Sequence, residues 1–244
     1  MTPELHDAHD RLEEDHWWFE GRRRVVRQVL RDQLLPRASR RILDLGCGAG
    51  SMFKLLGEFG TVDGAESSPD ALARARAKFP QLRVEPCNLP DELPSGTWDV
   101  ITAFDVIEHL DHPIEALRAL RSHLTWDGQV VITVPAFQFL WSHHDDANQH
   151  RRRYSRIELV SHLSSAGFKV TWASYFNTAL FPAVAAARLL ERFRPGHAES
   201  ASGDLQPTAE PLNSVLKFVF ASERLALHRT QLPFGVSLVA VAQR

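Results

Sequence analysis

Asp44, Gly46, Gly48 and Gly50 stand in the segment RILDLGCGAG (Arg41 to Gly50), where an aliphatic run ends in a carboxylate and gives way to alternate glycines. Glycine tolerates positive φ and lets another group approach the backbone, at an entropic cost to folding, so the cluster points to a ligand lying against this turn. Glu66 follows in VDGAESS, about 20 residues on, the spacing at which an acidic residue meets a ribose diol in nucleotide-binding folds. A dinucleotide would want GxGxxG, but Ser51 and Phe53 occupy the two places where the third glycine would fall. Asp44 would also repel a diphosphate, whereas it suits a ligand carrying ammonium and sulfonium groups.

Two further clusters hold groups that could move protons or grip a substrate. His109, in FDVIEHL, carries an imidazole that titrates near neutral pH, which fits a general base or a histidine that orients a ligand by packing. WSHHDDANQHRRRY (Trp141 to Tyr154) holds His143, His144, Asp145, Asp146, His150 and Tyr154. These suit acid–base work, substrate contacts or a hydrogen-bonded surface loop; their spacing matches no defined metal site, and no metal is expected. Arg151 to Arg153 could hold an acidic acceptor through bidentate guanidinium contacts, or form a solvated, salt-bridged face.

The elements that must position these residues alternate β-branched runs with helical periodicity, the pattern of a parallel sheet covered by helices. Strands are expected at Arg41–Leu45, Thr61–Ala65, Leu82–Glu85, Trp98–Phe104, Gln129–Val134, Phe168–Tyr175 and, at the end, Gly235–Ala242. Ser68 with Pro69 starts one helix, and Ser155 with Glu158 makes a capping box for another that Gly167 stops. Before the sheet, Val25, Val26, Val29 and Leu30 give a helix its core face, and Trp17, Trp18 and Phe19 precede it as an aromatic plug. Between strands six and seven, two amphipathic helices flank a Pro/Gly/Ser-rich loop at about 194–211. The first shows Leu180, Val184, Ala187 and Leu190 on one side, the second Leu212, Val215, Leu216 and Val219. They fit a packed helical hairpin, a substrate lid, a homodimer surface or a peripheral membrane patch.

Four motifs together resemble the class I S-adenosylmethionine-dependent methyltransferases: LDLGCGAG, Glu66 closing strand two, PCNLP after strand three and FDVIEHL closing strand four. The resemblance spans about Arg41 to Tyr175 plus the last strand. It implies a doubly wound, Rossmann-like α/β sheet of seven strands, mostly parallel, with an antiparallel last strand. It also implies S-adenosylmethionine as cofactor and S-adenosylhomocysteine as product. By resemblance Asp44, Gly46, Cys47, Gly48 and Gly50 hold the methionine side, Glu66 and Ser67 the ribose, and Asn88 and Leu89 the adenine. Phe104, Asp105, Val106 and His109 then line the sulfonium. Asn88 departs from the aspartate many members place there; an amide oxygen can accept the same hydrogen bond. An N-terminal segment often folds over the cofactor in this family, which would bring in Phe19, Arg22 and Arg23 as lid contacts, an arginine meeting the methionine carboxylate, with Trp18 toward the substrate; a helix merely docked by its two tryptophans is the alternative. His109, His143 and Tyr154 are the expected catalytic groups, and His144, His150 and Arg152 the expected substrate contacts.

The chain of 244 residues divides on this basis into an N-terminal helical segment (1–40), a cofactor-binding core (41–176 and 234–244) and a helical insertion (177–233). A net charge of −2 and the absence of aromatic interleaving in the arginine run speak against nucleic acid. Two cysteines are too few for a disulfide framework or a four-cysteine zinc site. The acidic N-terminus is unlike a secretory signal, and the apolar stretch from Tyr175 to Leu190 is broken by Asn177, Pro182 and Arg188. A cytoplasmic enzyme methylating an oxygen or nitrogen of a small, moderately apolar or lipid-linked acceptor is expected. A non-catalytic cofactor-binding partner and a nicotinamide oxidoreductase are the alternatives.

Overall fold

The computed structural model describes residues 16–192 and 208–244, so most of the loop expected at 194–211 lies outside the described residues. Helix α1 (Trp17–Gln33) precedes β1 (Arg41–Leu45), α2 (Phe53–Leu56), β2 (Thr61–Glu66), α3 (Pro69–Lys78), β3 (Val84–Pro86) and β4 (Trp98–Phe104). A short 3₁₀ turn (Ile107–His109), α4 (Pro113–Ser122), β5 (Leu124–Pro135) and a second 3₁₀ turn (Gln138–Leu140) follow. Then come α5 (His143–Ala147), α6 (Arg156–Ser165), β6 (Lys169–Phe176), α7 (Phe181–Arg192), α8 (Leu212–Leu227) and β7 (Ser237–Gln243).

The seven strands form one sheet in the order β3-β2-β1-β4-β5-β7-β6. The β1–β2, β2–β3, β1–β4 and β4–β5 pairs are parallel, while β7 runs antiparallel to both β5 and β6. Side chains alternate between sheet faces with a period of two. Leu43, Leu45, Ile101, Ala103, Val130, Ile132, Leu238 and Ala240 therefore share a core with Leu117 and Leu120 of α4 and Leu159 and Leu163 of α6. The opposite parity, Ile42, Val100, Phe104, Val131, Val239 and Val241, packs under Val25, Val26, Val29 and Leu30 of α1 and Phe220 and Leu227 of α8. Asp44, Thr102 and Thr133 share this second parity, which turns polar groups toward α1 at the sheet's carboxyl end.

Several local expectations shift. Trp17, Trp18 and Phe19 are the first turn of α1 itself, capped by His16 Nδ1, which accepts the Trp18 N–H at 3.3 Å. Helix α8 buries Phe220, Ala221, Glu223 and Leu227 and leaves Leu212 and Val215 each 55% exposed. The reason lies in α1: a side chain at Gly21 would overlap the Phe220 ring, so the missing Cβ seats that ring and sets the rotation of α8. In α7, Leu190 is likewise turned outward, while Val184 faces the sheet's carboxyl end. Among the described residues no helix is long and apolar enough to cross a membrane.

Candidate active site

A cavity of about 730 Å³ opens over the carboxyl ends of β1, β2 and β4, where ligands bind in open α/β sheets. The turn after β1 forms its floor. Gly46 has φ +66°, and a Cβ there would meet Val106 Cγ2 at 2.5 Å. Gly48 has φ +56°, and nothing lies within 4 Å of where its Cβ would be. The Glu66 carboxylate spans this floor: Oε2 accepts the Gly48 N–H at 2.8 Å and Oε1 accepts the Ser68 N–H at 2.8 Å.

Asp44 is 2% exposed and accepts a 2.7 Å hydrogen bond from the Thr102 hydroxyl, its neighbour in the β1–β4 register. Burial pushes its carboxyl up to about 7; the Thr102 bond and the nearby Arg22 oppose the shift, and Glu66 adds to it. Arg22 descends from α1 and pairs with Asp105 at 2.5 Å, also donating to Thr133 Oγ1 at 3.2 Å. The Thr133 hydroxyl in turn donates to Asp105 at 3.1 Å. The guanidinium lies over the Trp18 and Phe104 rings, at 5.2 and 5.7 Å from their centroids. Its Nε is buried and has no hydrogen-bond partner. Asp105 and Asn177 both line the cavity with positive φ, a strained backbone that a non-glycine residue adopts only where its surroundings enforce it.

The same cavity is also lined by imidazoles. His109 and His150 meet edge to face at 4.7 Å, and His144 stands 6.2 Å from His150. His150 Nδ1 lies 2.8 Å from Asp145, a fully buried carboxylate that also accepts from Arg153 Nε at 2.8 Å and from the Ser142 N–H at 2.9 Å. Burial opposes ionisation of Asp145, but the bonds from His150 and Arg153 outweigh it and hold the carboxyl below its ordinary range. Burial lowers His109, with His150 adding to the effect, and lowers His144 to about 4.

Trp18, Phe19, Asp44, Gly46, Cys47, Gly48, Glu66, Ser67, Asn88, Leu89, Phe104, Asp105, Val106, His109, His144 and His150 all line this cavity. Five expected residues do not. Gly50 is turned away, and its missing Cβ makes room for the Phe53 and Phe79 rings. Arg23 pairs with Glu20 on the flank of α1, leaving the cavity to Arg22. His143 sits 83% exposed at the start of α5, 3.9 Å from Asp146. Tyr154 is 1% exposed and packed edge to face on His162, and burial raises its hydroxyl. Arg152 donates to the backbone carbonyls of Leu110 and Asp111 and lines a separate small hollow. Glu108, Asn148 and Asn177 line the cavity without having been singled out, because no local pattern marks them. Burial pushes the Cys47 and Cys87 thiols up, Cys87 to about 12.

This floor fits S-adenosylmethionine on structural grounds. The space above Gly48 is open, Asp44 and Glu66 supply carboxylates to the cavity, and Arg22 brings a guanidinium to its wall. Residues 18–172 match the profile of the methyltransferase domain family. A probable S-adenosylmethionine-dependent methyltransferase of Mycobacterium tuberculosis is 31% identical over 162 residues, 64% of this chain and 57% of that protein. The chain thus matches well under two thirds of that relative's length. The ubiquinone biosynthesis O-methyltransferase of Pseudomonas aeruginosa is 28% identical over 112 residues, covering 42% of this chain and 47% of that one. Among solved structures, phosphoethanolamine N-methyltransferase 2 of Haemonchus contortus, in complex with S-adenosyl-L-methionine, superposes with a TM-score of 0.58 at 15% identity. That match covers 90% of this chain and 52% of the other. The chain belongs to the methyltransferase domain family, and its fold is that of solved S-adenosylmethionine-dependent methyltransferases.

Proposed function

We propose that this protein transfers the methyl group of S-adenosylmethionine to an oxygen or nitrogen of a small-molecule acceptor that enters the same cavity. The observation that carries this reading is a single cavity lined both by the glycine turn with Asp44, Glu66 and Arg22 and by the imidazoles of His109, His144 and His150. Bound S-adenosylmethionine supplies a methyl already activated on a sulfonium, so the protein's tasks are alignment, exclusion of water and removal of a proton from the acceptor. Phe104, Asp105 and Val106, which lead from β4 into the turn that carries His109, also line the cavity and are assigned to the sulfonium. Trp18, Phe19 and Val184 give the cavity apolar walls, which favours a moderately apolar or lipid-linked acceptor. The imidazoles receive the acceptor's polar group.

Isothermal titration with S-adenosylmethionine, S-adenosylhomocysteine and NADH tests the cofactor half. Stoichiometric binding of the first two without the third is expected, and binding of NADH alone overturns the reading. Methyl transfer from labelled cofactor to a panel of hydroxylated and amino-bearing small molecules tests the other half.

A further inference from the structure

We infer that the hollow lined by the arginine run is a binding site for a tetrahedral oxyanion, either a phosphate ion or the phosphate group of a larger molecule. Its volume is about 340 Å³, and it is bordered by residues 151–154, by Glu158 and His162 of α6 and by Gln138 of the second 3₁₀ turn. Three side-chain atoms of these residues are buried with no hydrogen-bond partner: Arg152 Nε, the Tyr154 hydroxyl and His162 Nδ1. Tyr154 as a whole is only 1% exposed. A buried polar atom without a partner is costly, and three of them on the walls of one small space point to one partner that they share.

The donors select the kind of partner. Arg152 Nε can only donate, the Tyr154 hydroxyl donates through a rotatable O–H, and His162 Nδ1 donates in the charged ring and in one neutral tautomer. The Gln138 amide oxygen accepts the Arg153 N–H at 3.1 Å, which leaves the Gln138 NH2 group as a further donor. A water molecule has to donate as well as accept. Glu158 is the one carboxylate on these walls, and its Oε2 is committed to the Ser155 N–H at 2.7 Å. An oxyanion only accepts. Donors from four residues on three stretches of chain suit oxygens that point in more than one plane, which favours a tetrahedral phosphate over a planar carboxylate.

The charges agree with that choice. Arg153 is neutralised by Asp145 and gives Nη1 to the Ala136 carbonyl. Arg151 has a solvent-exposed contact with Asp111 at 3.3 Å, of a kind that contributes little. Arg152 donates Nη2 to the Leu110 and Asp111 carbonyls, and no carboxylate among the described residues pairs with it. Two guanidinium groups without a firm counter-charge therefore stand against the one carboxylate of Glu158. The two carbonyls also hold the Arg152 guanidinium in place beforehand, which reduces the ordering cost of binding, and its planar fork matches phosphate oxygens. Arg153 is the one residue that lines both this hollow and the large cavity. The oxyanion site is thus separate from the cofactor floor and does not rest on the methyl-transfer reading.

The test is calorimetric titration of the full chain with inorganic phosphate at constant ionic strength, without cofactor or acceptor. One ion per chain is expected, bound more tightly than acetate. Losing one charge-assisted hydrogen bond should weaken affinity at least about tenfold in Arg152→Met and in Tyr154→Phe, while Glu158→Gln, which still caps α6, should strengthen it. Arg156→Met, an arginine beside the hollow but not on its walls, and Arg22→Met, in the large cavity, should leave it unchanged. Should Arg152→Met not melt cooperatively, Tyr154→Phe, which removes only a hydroxyl, decides. No saturable phosphate binding, acetate binding as tightly, affinity that survives Tyr154→Phe, or equal weakening by Arg156→Met or Arg22→Met overturns the proposal. Phenyl phosphate separates the two sources: binding at least as tight as inorganic phosphate assigns the hollow to a phosphorylated molecule, and its exclusion assigns it to the free ion, both upholding the site. S-adenosylmethionine titration of the same variants reports separately on the cofactor reading.

Discussion

The Glu66 carboxylate accepts the Gly48 N–H at 2.8 Å across the mouth of the β1 turn. An acid at the end of one strand thereby sets the position of the glycine after its neighbour, and both face the same open space. A hydrogen bond to a charged group contributes about 1.5–3 kcal/mol, so Glu66→Ala should weaken S-adenosylmethionine binding by roughly 10- to 100-fold by calorimetry. Unaltered affinity would show that the ribose does not reach this residue.

Gly46 and Gly48 should respond differently to alanine. Both have positive φ, which costs an L-residue about 1–2 kcal/mol, but only Gly46 has a neighbour, Val106, in the way of a Cβ. Gly46→Ala is expected to lower the melting temperature more than Gly48→Ala. Gly48→Ala is expected to lose cofactor affinity out of proportion to its small change in melting.

Asp44 should make cofactor binding depend on pH. Its carboxyl stands at about 7 in the folded protein against an ordinary 3.8, burial being the main cause. The ionised form attracts the ammonium, so affinity should rise by up to about tenfold per pH unit below 7 and level off above it. Stability of the cofactor-free protein runs the other way. Because the folded value is raised, Asp44's contribution is fully present below about pH 4 and is lost as pH rises through about 7. Asp44→Asn should flatten both profiles; affinity that stays constant from pH 6 to 8 in the unaltered protein contradicts the assignment.

Arg22 should discriminate on the cofactor's carboxylate. Its Nε is buried without a partner while the rest of the guanidinium holds Asp105 and Thr133. The protein should prefer S-adenosylmethionine over its decarboxylated analogue, and Arg22→Met should narrow that preference at least tenfold in competition titrations. Arg23→Met, on the flank of the helix, should leave it intact.

Tyr154 and Asp145 separate packing from pairing. The Tyr154 hydroxyl is buried with no partner, so Tyr154→Phe is expected to keep or raise the melting temperature and leave methyl transfer within about twofold. Asp145→Ala strands Arg153, and breaking a buried pair costs about 3–5 kcal/mol; calorimetric unfolding should show a loss of that order.

What could be read from the chain alone was local or periodic. Ser155 and Glu158 cap α6 reciprocally, at 2.7 and 3.3 Å, because the three-residue spacing by itself brings the two groups together. Alternation in β5 and β7 sorted their side chains to two faces whatever the partners, and the glycines after β1 marked the turn on which the cofactor reading rests. The tertiary structure decided everything that depends on rotation or on distance along the chain. Arg22 and Arg23 are indistinguishable as neighbours in sequence, yet one helical step of about 100° sends one to Asp105 and the other to Glu20. His143 and His150 look alike in WSHHDDANQHRRRY, and only the burial of Asp145 draws His150 inward. Glu108 stands inside FDVIEHL, yet nothing in that motif told that it would be fully buried with both carboxylate oxygens unpartnered, since Arg22 and Arg153, distant in sequence, form their ion pairs with other carboxylates. Such commitments are made between elements that meet only when the sheet is assembled, and a linear pattern holds no trace of them.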